Sequence, residues 1–251
     1  MGGAGFIGSH LVRRLLSLGY AVTVLDNLST GLREHLPASG FTFWEMDVRD
    51  AAERRAIAAE HFDAIVHLAG QTTVDASIRD PYFDAGENIL GTVNVLEAAR
   101  ASGVGRVVFA LTAAAYGERQ GDKGEGGVIS IFTRRAVRGE GLTIYGDGGQ
   151  TRDFIYAGDV ADGIAAALVT EQVNTAYNLS TQTETSLLDL VTTLARIEGH
   201  AIEVTYGPAR AGDIYRSVLS NARAKAGLHW HPETSLETGL RRTAAYFRGE
   251  V

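Results

Sequence analysis

The sequence predicts an α/β fold, a doubly wound parallel sheet followed by a smaller C-terminal α/β domain. From residue 1 to about residue 111, apolar segments of strand length alternate with amphipathic segments of helix length, and such alternation produces a parallel sheet. From Gly121 to Gly127 the chain is rich in glycine and charge, which indicates a surface loop, and the regular alternation ends there. We therefore predict one domain over residues 1–120 and a second over residues 121–251.

The predicted elements of the first domain follow from the spacing of apolar residues. Leu11, Leu15 and Leu18 recur at helical spacing, whereas residues 21–25 and 64–69 are apolar runs of strand length. Gly103 is typical of a helix C-cap. In chain order we predict a helix over 11–18, a strand over 21–25, a strand over 41–44, a helix over 51–60, a strand over 64–69, a helix over 88–100 and a strand over 106–111.

Composition excludes several classes of protein. The 251 residues are 45% hydrophobic, which suffices for a substantial core. The formal net charge is −7 without a basic stripe, so nucleic acid is not an expected partner. The absence of cysteine suits a reducing compartment, and with no apolar run of about 18 residues we expect a cytoplasmic enzyme without membrane contact. His229 and His231 lack a further ligand cluster, so no metal is expected.

The glycine-rich start of the chain predicts a Rossmann-like dinucleotide site. Gly2, Gly5 and Gly8 have the spacing GxxGxxG directly before the first predicted helix. Small residues let the backbone approach a pyrophosphate, and the helix N-terminus supplies free N–H groups and a positive dipole end. The alternative is an ordinary glycine turn before a helix.

Acidic residues after the next two strands favour NAD. Asp26 ends the strand that follows the glycine loop, about 20 residues on, where a carboxylate accepts hydrogen bonds from the adenosine ribose and would repel the extra phosphate of NADP. A strand-ending turn with Asn27 is the alternative for Asp26. Asp47 follows the third strand and would hold the adenine amino group, or else cap the helix that begins near Asp50.

Several motifs together resemble one family. They are GGAGFIGSH at residues 2–10, the run 26–31, Asp47-Val48, HLAGQ at 67–71, and the long stretch LTIYGDGGQTRDFIY at 142–156. With these motifs the chain resembles the extended short-chain dehydrogenase/reductases, and among them the NAD-dependent epimerase/dehydratase branch that contains the UDP-glucose 4-epimerases. The resemblance implies NAD as cofactor, a UDP-sugar as substrate, and a possible homodimer. Relatives dimerise through two helices, of which the helix over 88–100 remains and the other carries a catalytic pair that is missing here, so we expect a weaker or different dimer.

The resemblance also implies a role for individual residues. The first domain would bind NAD and the second the nucleotide-sugar, with some segments returning to the first. The pyrophosphate would lie on Gly2, Gly5, Phe6, Ile7 and Gly8, the adenosine ribose on Asp26 and Asn27, the adenine on Asp47 and Val48, and the nicotinamide beside Leu68, Ala69, Gly70 and Gln71. Tyr145 would pack on uracil, Arg152 and Arg210 would hold the diphosphate, and Asp213 would contact the uridine ribose.

Each substrate residue has a structural alternative. Arg152 has Asp153 as a neighbouring ion-pair partner, and Arg210 can be a solvated charge near Asp213. For Tyr145 the alternative is packing in the core.

The catalytic pair of the family is missing from the sequence. Its members use Tyr-x-x-x-Lys, in which lysine helps to lower the tyrosine pKa so that the phenolate can act as a base. The lysines here are Lys123 and Lys225, and neither lies four residues after a tyrosine. Thr112 matches the third catalytic member, with a strand-end threonine as the alternative.

The sequence indicates where this pair is lost. Tyr116-Gly117 fits the end of the family's Ser/Thr strand motif and also the start of its later Tyr-Gly-x-Arg-Gln motif, here residues 116–120. The helix and strand that separate these motifs in relatives, roughly 30 residues or more, are absent. A first strand before the glycine loop is also expected to be missing. The hypotheses are a truncated and internally deleted UDP-hexose 4-epimerase, a nucleotide-sugar 4,6-dehydratase, or a non-catalytic nucleotide-binding protein.

Overall fold

The chain divides into two compact units. The computed structural model describes residues 1–110, 114–121, 127–210 and 212–250, with the side chains of all of these except 51–54 and 74. Unit 1 comprises Met1–Thr112 and Ile164–Thr170, and unit 2 comprises Ala113–Gly163 and Glu171–Val251.

Unit 1 contains two pairs of parallel strands. They are β1 (Val22–Asp26), β2 (Phe41–Glu45), β3 (Ala64–His67) and β4 (Arg106–Phe109). β1 pairs with β2 from Val22 opposite Phe41, and β3 pairs with β4 from Ala64 opposite Arg106. The predicted α/β class with parallel sheets is confirmed.

Met1 and Gly2 lie between β1 and β3. The Met1 amino group donates to Val66 O at 2.7 Å, and Leu68 N donates to Met1 O at 3.0 Å. In a parallel strand pair, one residue bonds to the two residues that flank its partner on the neighbouring strand. Met1 bonds in this way to Val66 and Leu68. On the other side, Gly2 N donates to Leu25 O at 2.8 Å. These bonds place the glycine loop directly beside the carboxyl ends of β1 and β3.

Three helices of unit 1 correspond to predicted ones, and two short helices, over residues 74–79 and 81–85, were not predicted. The helices are α1 (Phe6–Ser17), α2 (Ala51–Ala59), α3 (Val74–Arg79), α4 (Pro81–Ala85) and α5 (Gly91–Ser102), and Arg33–His35 is a short 3-10 turn. The helix predicted over 88–100 is observed as α5, which a π-helical turn over Gly86–Leu90 joins to α4. Gly103 ends α5 with a φ of 70°, as its C-cap pattern predicts.

Unit 2 combines short strands with five helices among its described residues. The strands are β5 (Ala115–Tyr116), β6 (Leu142–Tyr145), β7 (Thr151–Arg152), β8 (Ile155–Tyr156), β9 (Thr185–Ser186), β10 (Val204–Gly207) and β11 (Arg216–Ser217). The helices are α6 (Val128–Val137), α7 (Ala157–Ala167), α8 (Leu187–Glu198), α9 (Ala222–Leu228) and α10 (Leu236–Arg248), and the end of α7 belongs to unit 1. β6 pairs with β10, β5 with β8 and β7 with β11, all parallel, while β9 is antiparallel to β7.

Tyr116 belongs to the core of unit 2. It is 1% exposed and packs with the buried side chains of α6, α8 and α10. β5, which contains Tyr116, pairs with β8 in the same unit. Tyr116 therefore packs with the later part of the chain.

We predict that replacing Gly239 by alanine destabilises unit 2. Alanine favours a helix interior by about 1 kcal/mol over glycine. In α10, however, a Cβ at Gly239 would lie 2.8 Å from Cε2 of Tyr116, and such overpacking costs about 1–3 kcal/mol. Urea denaturation of Gly239→Ala measures the net loss.

A double-mutant cycle with Tyr116→Phe is the control for this prediction. Because the phenol oxygen is also in close contact with the added Cβ, the loss should be smaller in the phenylalanine background. Stabilisation by Gly239→Ala would show that Tyr116 does not pack on α10.

Candidate functional site

The glycine loop has the close backbone approach that a dinucleotide site requires. Gly2 has a φ of 72°, and a Cβ there would lie 2.7 Å from Ala69 N. A Cβ at Gly8 would meet the carbonyl of Gly2. The residue that caps α1 is Gly5, which has no side chain to occupy the N–H groups of the first turn. Those groups can therefore donate to an anion.

Asp26 lies next to this loop at the end of β1. It is 7% exposed, and its Oδ2 accepts from Ala4 N and its Oδ1 from Leu28 N, both at 2.8 Å. Each carboxylate oxygen has two acceptor sites, so both keep capacity for ribose hydroxyl groups. The bond to Ala4 fixes the glycine loop against the strand end.

The Asp47 carboxylate lies beside the same strand ends and is held by the charged Arg49 side chain and by Asn27. Arg49 donates through Nε and Nη2 to its two carboxylate oxygens at 2.8 and 2.7 Å, and Asn27 Nδ2 donates to Oδ2 at 2.8 Å. The side-chain bond from Arg49 lowers the Asp47 pKa well below its ordinary value. The N-cap of α2 is Asp50, so the alternative that Asp47 caps this helix is wrong.

The loop after β3 is fixed by a residue that the sequence reasoning missed. Asn88, in the π-helical turn, accepts from Gln71 N at 2.8 Å and donates to Gln71 O at 2.9 Å. A Cβ at Gly70 would lie 2.8 Å from Asn88 Oδ1. No signal in the sequence singled out Asn88, because Glu87 and Asn94 are polar residues of the same helical segment. Leu68, Ala69, Gly70 and Gln71 lie in this loop.

In unit 2 the four predicted substrate residues form two contacting pairs. Arg152 Nη2 donates to Asp213 Oδ1 at 2.8 Å. Asp153 is instead 7% exposed and accepts from the amide and hydroxyl of Thr181. The alternative that Arg152 pairs with Asp153 is therefore wrong. Arg152 has five N–H donors, so this pair leaves donors for a phosphate.

The second pair stacks an arginine on an aromatic ring. The Arg210 guanidinium carbon lies 4.2 Å from the centre of the Tyr145 ring, a cation–π contact. Tyr145 is 41% exposed, so it is not a core residue. Asp213 N donates to Arg210 O at 3.2 Å, so a backbone hydrogen bond links the two pairs.

The described tyrosines nearest the predicted junction are not poised as bases. Burial raises the pKa values of Tyr116 and Tyr156 above their ordinary value. Tyr156 Oη also donates to Glu118 at 2.7 Å, which favours its neutral form. Thr112 lies outside the described residues.

The described residues contain no metal-binding cluster and no membrane-spanning helix. Among them, no three His, Cys, Asp or Glu side chains lie close enough to hold a metal ion. Trp230, between the two histidines, is 5% exposed and donates to Asp159 O. No helix in the described part of the chain is long and apolar enough to cross a membrane.

The fold and the glycine loop define a dinucleotide-binding α/β protein, and the comparisons with known proteins agree. The model of the NAD dependent epimerase/dehydratase family matches residues 1–125 and 115–180. The UDP-glucose 4-epimerase of Mycolicibacterium smegmatis is 33% identical over 99% of this chain and 97% of its own. The chain belongs to the NAD dependent epimerase/dehydratase family.

Solved structures show the same fold. UDP-glucose 4-epimerase of Thermotoga maritima, solved with UDP-glucose, has a TM-score of 0.93 at 33% identity and covers 99% of this chain and 97% of its own. The UDP-glucose 4-epimerase of Thermus thermophilus, solved with NAD, has a TM-score of 0.90 at 35% identity and covers 100% of this chain and 98% of its own. Both likenesses extend over both units.

A buried histidine beside the candidate site gives a pH prediction. His67 is 1% exposed, its Nε2 is 3.0 Å from Thr92 Oγ1, and burial lowers its pKa from 6.5 to about 4. As the pH falls, His67 is therefore protonated in the unfolded chain before it is protonated in the folded chain. The free energy of unfolding decreases between pH 6.5 and 4. We expect this loss to be about 2–3 kcal/mol smaller in His67→Asn.

Denaturant unfolding at pH 7 and pH 4.5 measures this difference. His200→Asn is the control, because His200 is an exposed histidine. An equal pH slope for wild type and His67→Asn would contradict the assignment.

Proposed function

We propose that this chain carries the two ligand sites of a UDP-hexose 4-epimerase without the catalytic base. The observation that carries the proposal is the convergence of the glycine loop, Asp26 and the loop after β3 at adjoining strand ends. Membership of the epimerase/dehydratase family and the likeness to UDP-glucose 4-epimerases over 99% of the chain support it.

The residues at these strand ends fit NAD. The uncapped first turn of α1, with Gly2, Gly5, Phe6, Ile7 and Gly8, would receive the pyrophosphate. Asp26 and Asn27 would receive the adenosine ribose and Asp47 with Val48 the adenine, and the loop 68–71 would lie beside the nicotinamide. When bound, NAD supplies a reversible hydride acceptor for the fourth carbon of the sugar.

The substrate side of the proposal is a diphosphate site beside an aromatic ring. Arg152 and Arg210 can each form paired hydrogen bonds with phosphate oxygens. Tyr145 offers a partly exposed ring for the uracil, and Asp213 an acceptor for the ribose. Because Arg210 lies over one face of the Tyr145 ring, a nucleotide that stacks on that face would displace its guanidinium, which can then turn to the diphosphate.

We infer that the catalytic segment has been lost at the junction of the two motifs that meet at Tyr116-Gly117. The alignment with the Mycolicibacterium smegmatis enzyme spans 305 positions although this chain has 251 residues. The family model matches twice, and its two matches share residues 115–125. Thr112 would keep its role on the reacting hydroxyl, but the chain has no tyrosine–lysine pair to take up the proton.

The second candidate function is non-catalytic binding of NAD and a nucleotide-sugar. The absence of Tyr-x-x-x-Lys favours it. A nucleotide-sugar 4,6-dehydratase is disfavoured, because Ala113 and Ala114 follow Thr112 where that branch has an acid pair.

Turnover of UDP-galactose to UDP-glucose tests the proposal. We expect the chain to be about 10²–10⁴-fold slower than a chimera in which the intervening segment of the Mycolicibacterium smegmatis enzyme is inserted before Ala115, since a positioned acid–base group contributes a factor of this size. The same chimera with phenylalanine for its catalytic tyrosine is the matched control.

Two results would contradict the proposal. Turnover of the unmodified chain at the rate of the chimera would show that another base exists. A chimera that binds both ligands but stays inactive would show that the inserted segment is not what the chain lacks.

We also propose a homodimer through the exposed face of α5. Val93 and Leu96 are 48% and 49% exposed, and Ile89 and Leu90 precede them at 62% and 61%. An apolar surface of this kind marks an association site. A cytoplasmic location is proposed from the cysteine-free composition, which suits a reducing compartment.

The double variant Val93→Glu/Leu96→Glu should convert the dimer to a monomer in light scattering coupled to size exclusion, because charges there would be buried without partners. Val169→Glu is the matched control, as Val169 is 66% exposed at another surface. A wild-type protein that is monomeric at high micromolar concentration would contradict the dimer.

A further inference from the structure

One carboxylate next to the loop after β3 has no role in the proposed function so far. Asp84 lies in α4 and is half-buried. Its Oδ1 accepts from Gln71 Nε2 at 2.8 Å and from Asn88 Nδ2 at 3.1 Å. The donor ends of two side-chain amides therefore converge on a single carboxylate oxygen.

The oxygen ends of the same amides hold the loop backbone. Asn88 Oδ1 accepts from Gln71 N at 2.8 Å, and Gln71 Oε1 accepts from Thr73 N. Asn88 Oδ1 also packs against Gly70, since a Cβ at Gly70 would lie 2.8 Å from this oxygen. The backbone path from Gly70 to Thr73 thus depends on how these two amides are turned.

A carboxylate determines that orientation. An ionised aspartate only accepts hydrogen bonds, whereas an amide has a donor end and an acceptor end. Turning either amide by 180° would set its oxygen against Asp84 and its NH₂ group against a backbone N–H. Hydrogen bonds to a charged acceptor are stronger than neutral ones, so Asp84 favours the orientation in which both oxygens face the loop.

We propose that Asp84 is a positioning residue for the nicotinamide half of the NAD site. It acts through Gln71 and Asn88, which set the backbone of the loop 70–73. It also holds the Gln71 amide group, so the contact of Gln71 with nicotinamide comes from its backbone. The inference rests on the proposed NAD site.

The test compares NAD with ADP-ribose, which is the same ligand without nicotinamide. For Asp84→Ala, calorimetric titration should give about tenfold weaker binding of NAD and a change within about twofold for ADP-ribose. Asp84→Asn keeps an oxygen at the same place and should recover NAD binding to within about threefold of wild type.

The matched control is Asp80→Ala. Asp80 caps α4 by accepting from Phe83 N at 3.0 Å, so its loss loosens the same helix without removing an acceptor from either amide. The ratio of the two affinities should not change in this variant. Equal weakening of both ligands by Asp84→Ala, or no weakening of NAD, would overturn the positioning role.

Amide hydrogen exchange on the ligand-free chain gives a second measurement. In Asp84→Ala the amides of Gln71 and Thr73 should exchange faster, because their acceptors are released, and unchanged exchange would overturn the inference. A wild-type protein that binds neither NAD nor ADP-ribose would overturn the proposed function instead, and exchange would still decide whether Asp84 orders the loop.

Discussion

Three backbone hydrogen bonds of Met1 and Gly2 hold the candidate cofactor site together. They join β1 on one side, at Leu25, to β3 on the other, at Val66 and Leu68. Each is worth about 1 kcal/mol, but together they fix the register between two strands. That register puts the glycine loop, Asp26 and the loop after β3 at one edge, where the pyrophosphate, the adenosine ribose and the nicotinamide would bind.

Most of unit 1 follows from local sequence patterns. Helical spacing in α1, the apolar run of β1 and the glycine at 103 are properties of neighbouring residues, so they could be predicted without tertiary information. The placement of Asp26 follows from the same logic, because the residue that ends a parallel strand lies at the ligand edge of the sheet. The remaining cofactor residues were assigned only from the family resemblance, and their roles remain predictions.

The sequence did not predict which side chains or backbone groups a residue would bind when those partners are distant in sequence. Arg152 pairs with Asp213 although Asp153 is adjacent, because the fold takes Asp153 into the interior to bind the 181–182 backbone. Asn88 and Asp84 looked like ordinary polar helix residues, and their contact with Gln71 appears only when α4 and the π-helical turn pack beside β3. Tyr116 fitted two motifs equally well in the sequence. Its burial against α10 places it with the second unit.

We propose that the chain keeps two intact ligand sites although it lacks a catalytic base. Calorimetric titration of NAD and of UDP into the purified chain tests for both sites. One NAD and one UDP should bind per chain, and Arg152→Ala should lose UDP binding while it keeps NAD binding. A folded chain that binds neither ligand would contradict this proposal.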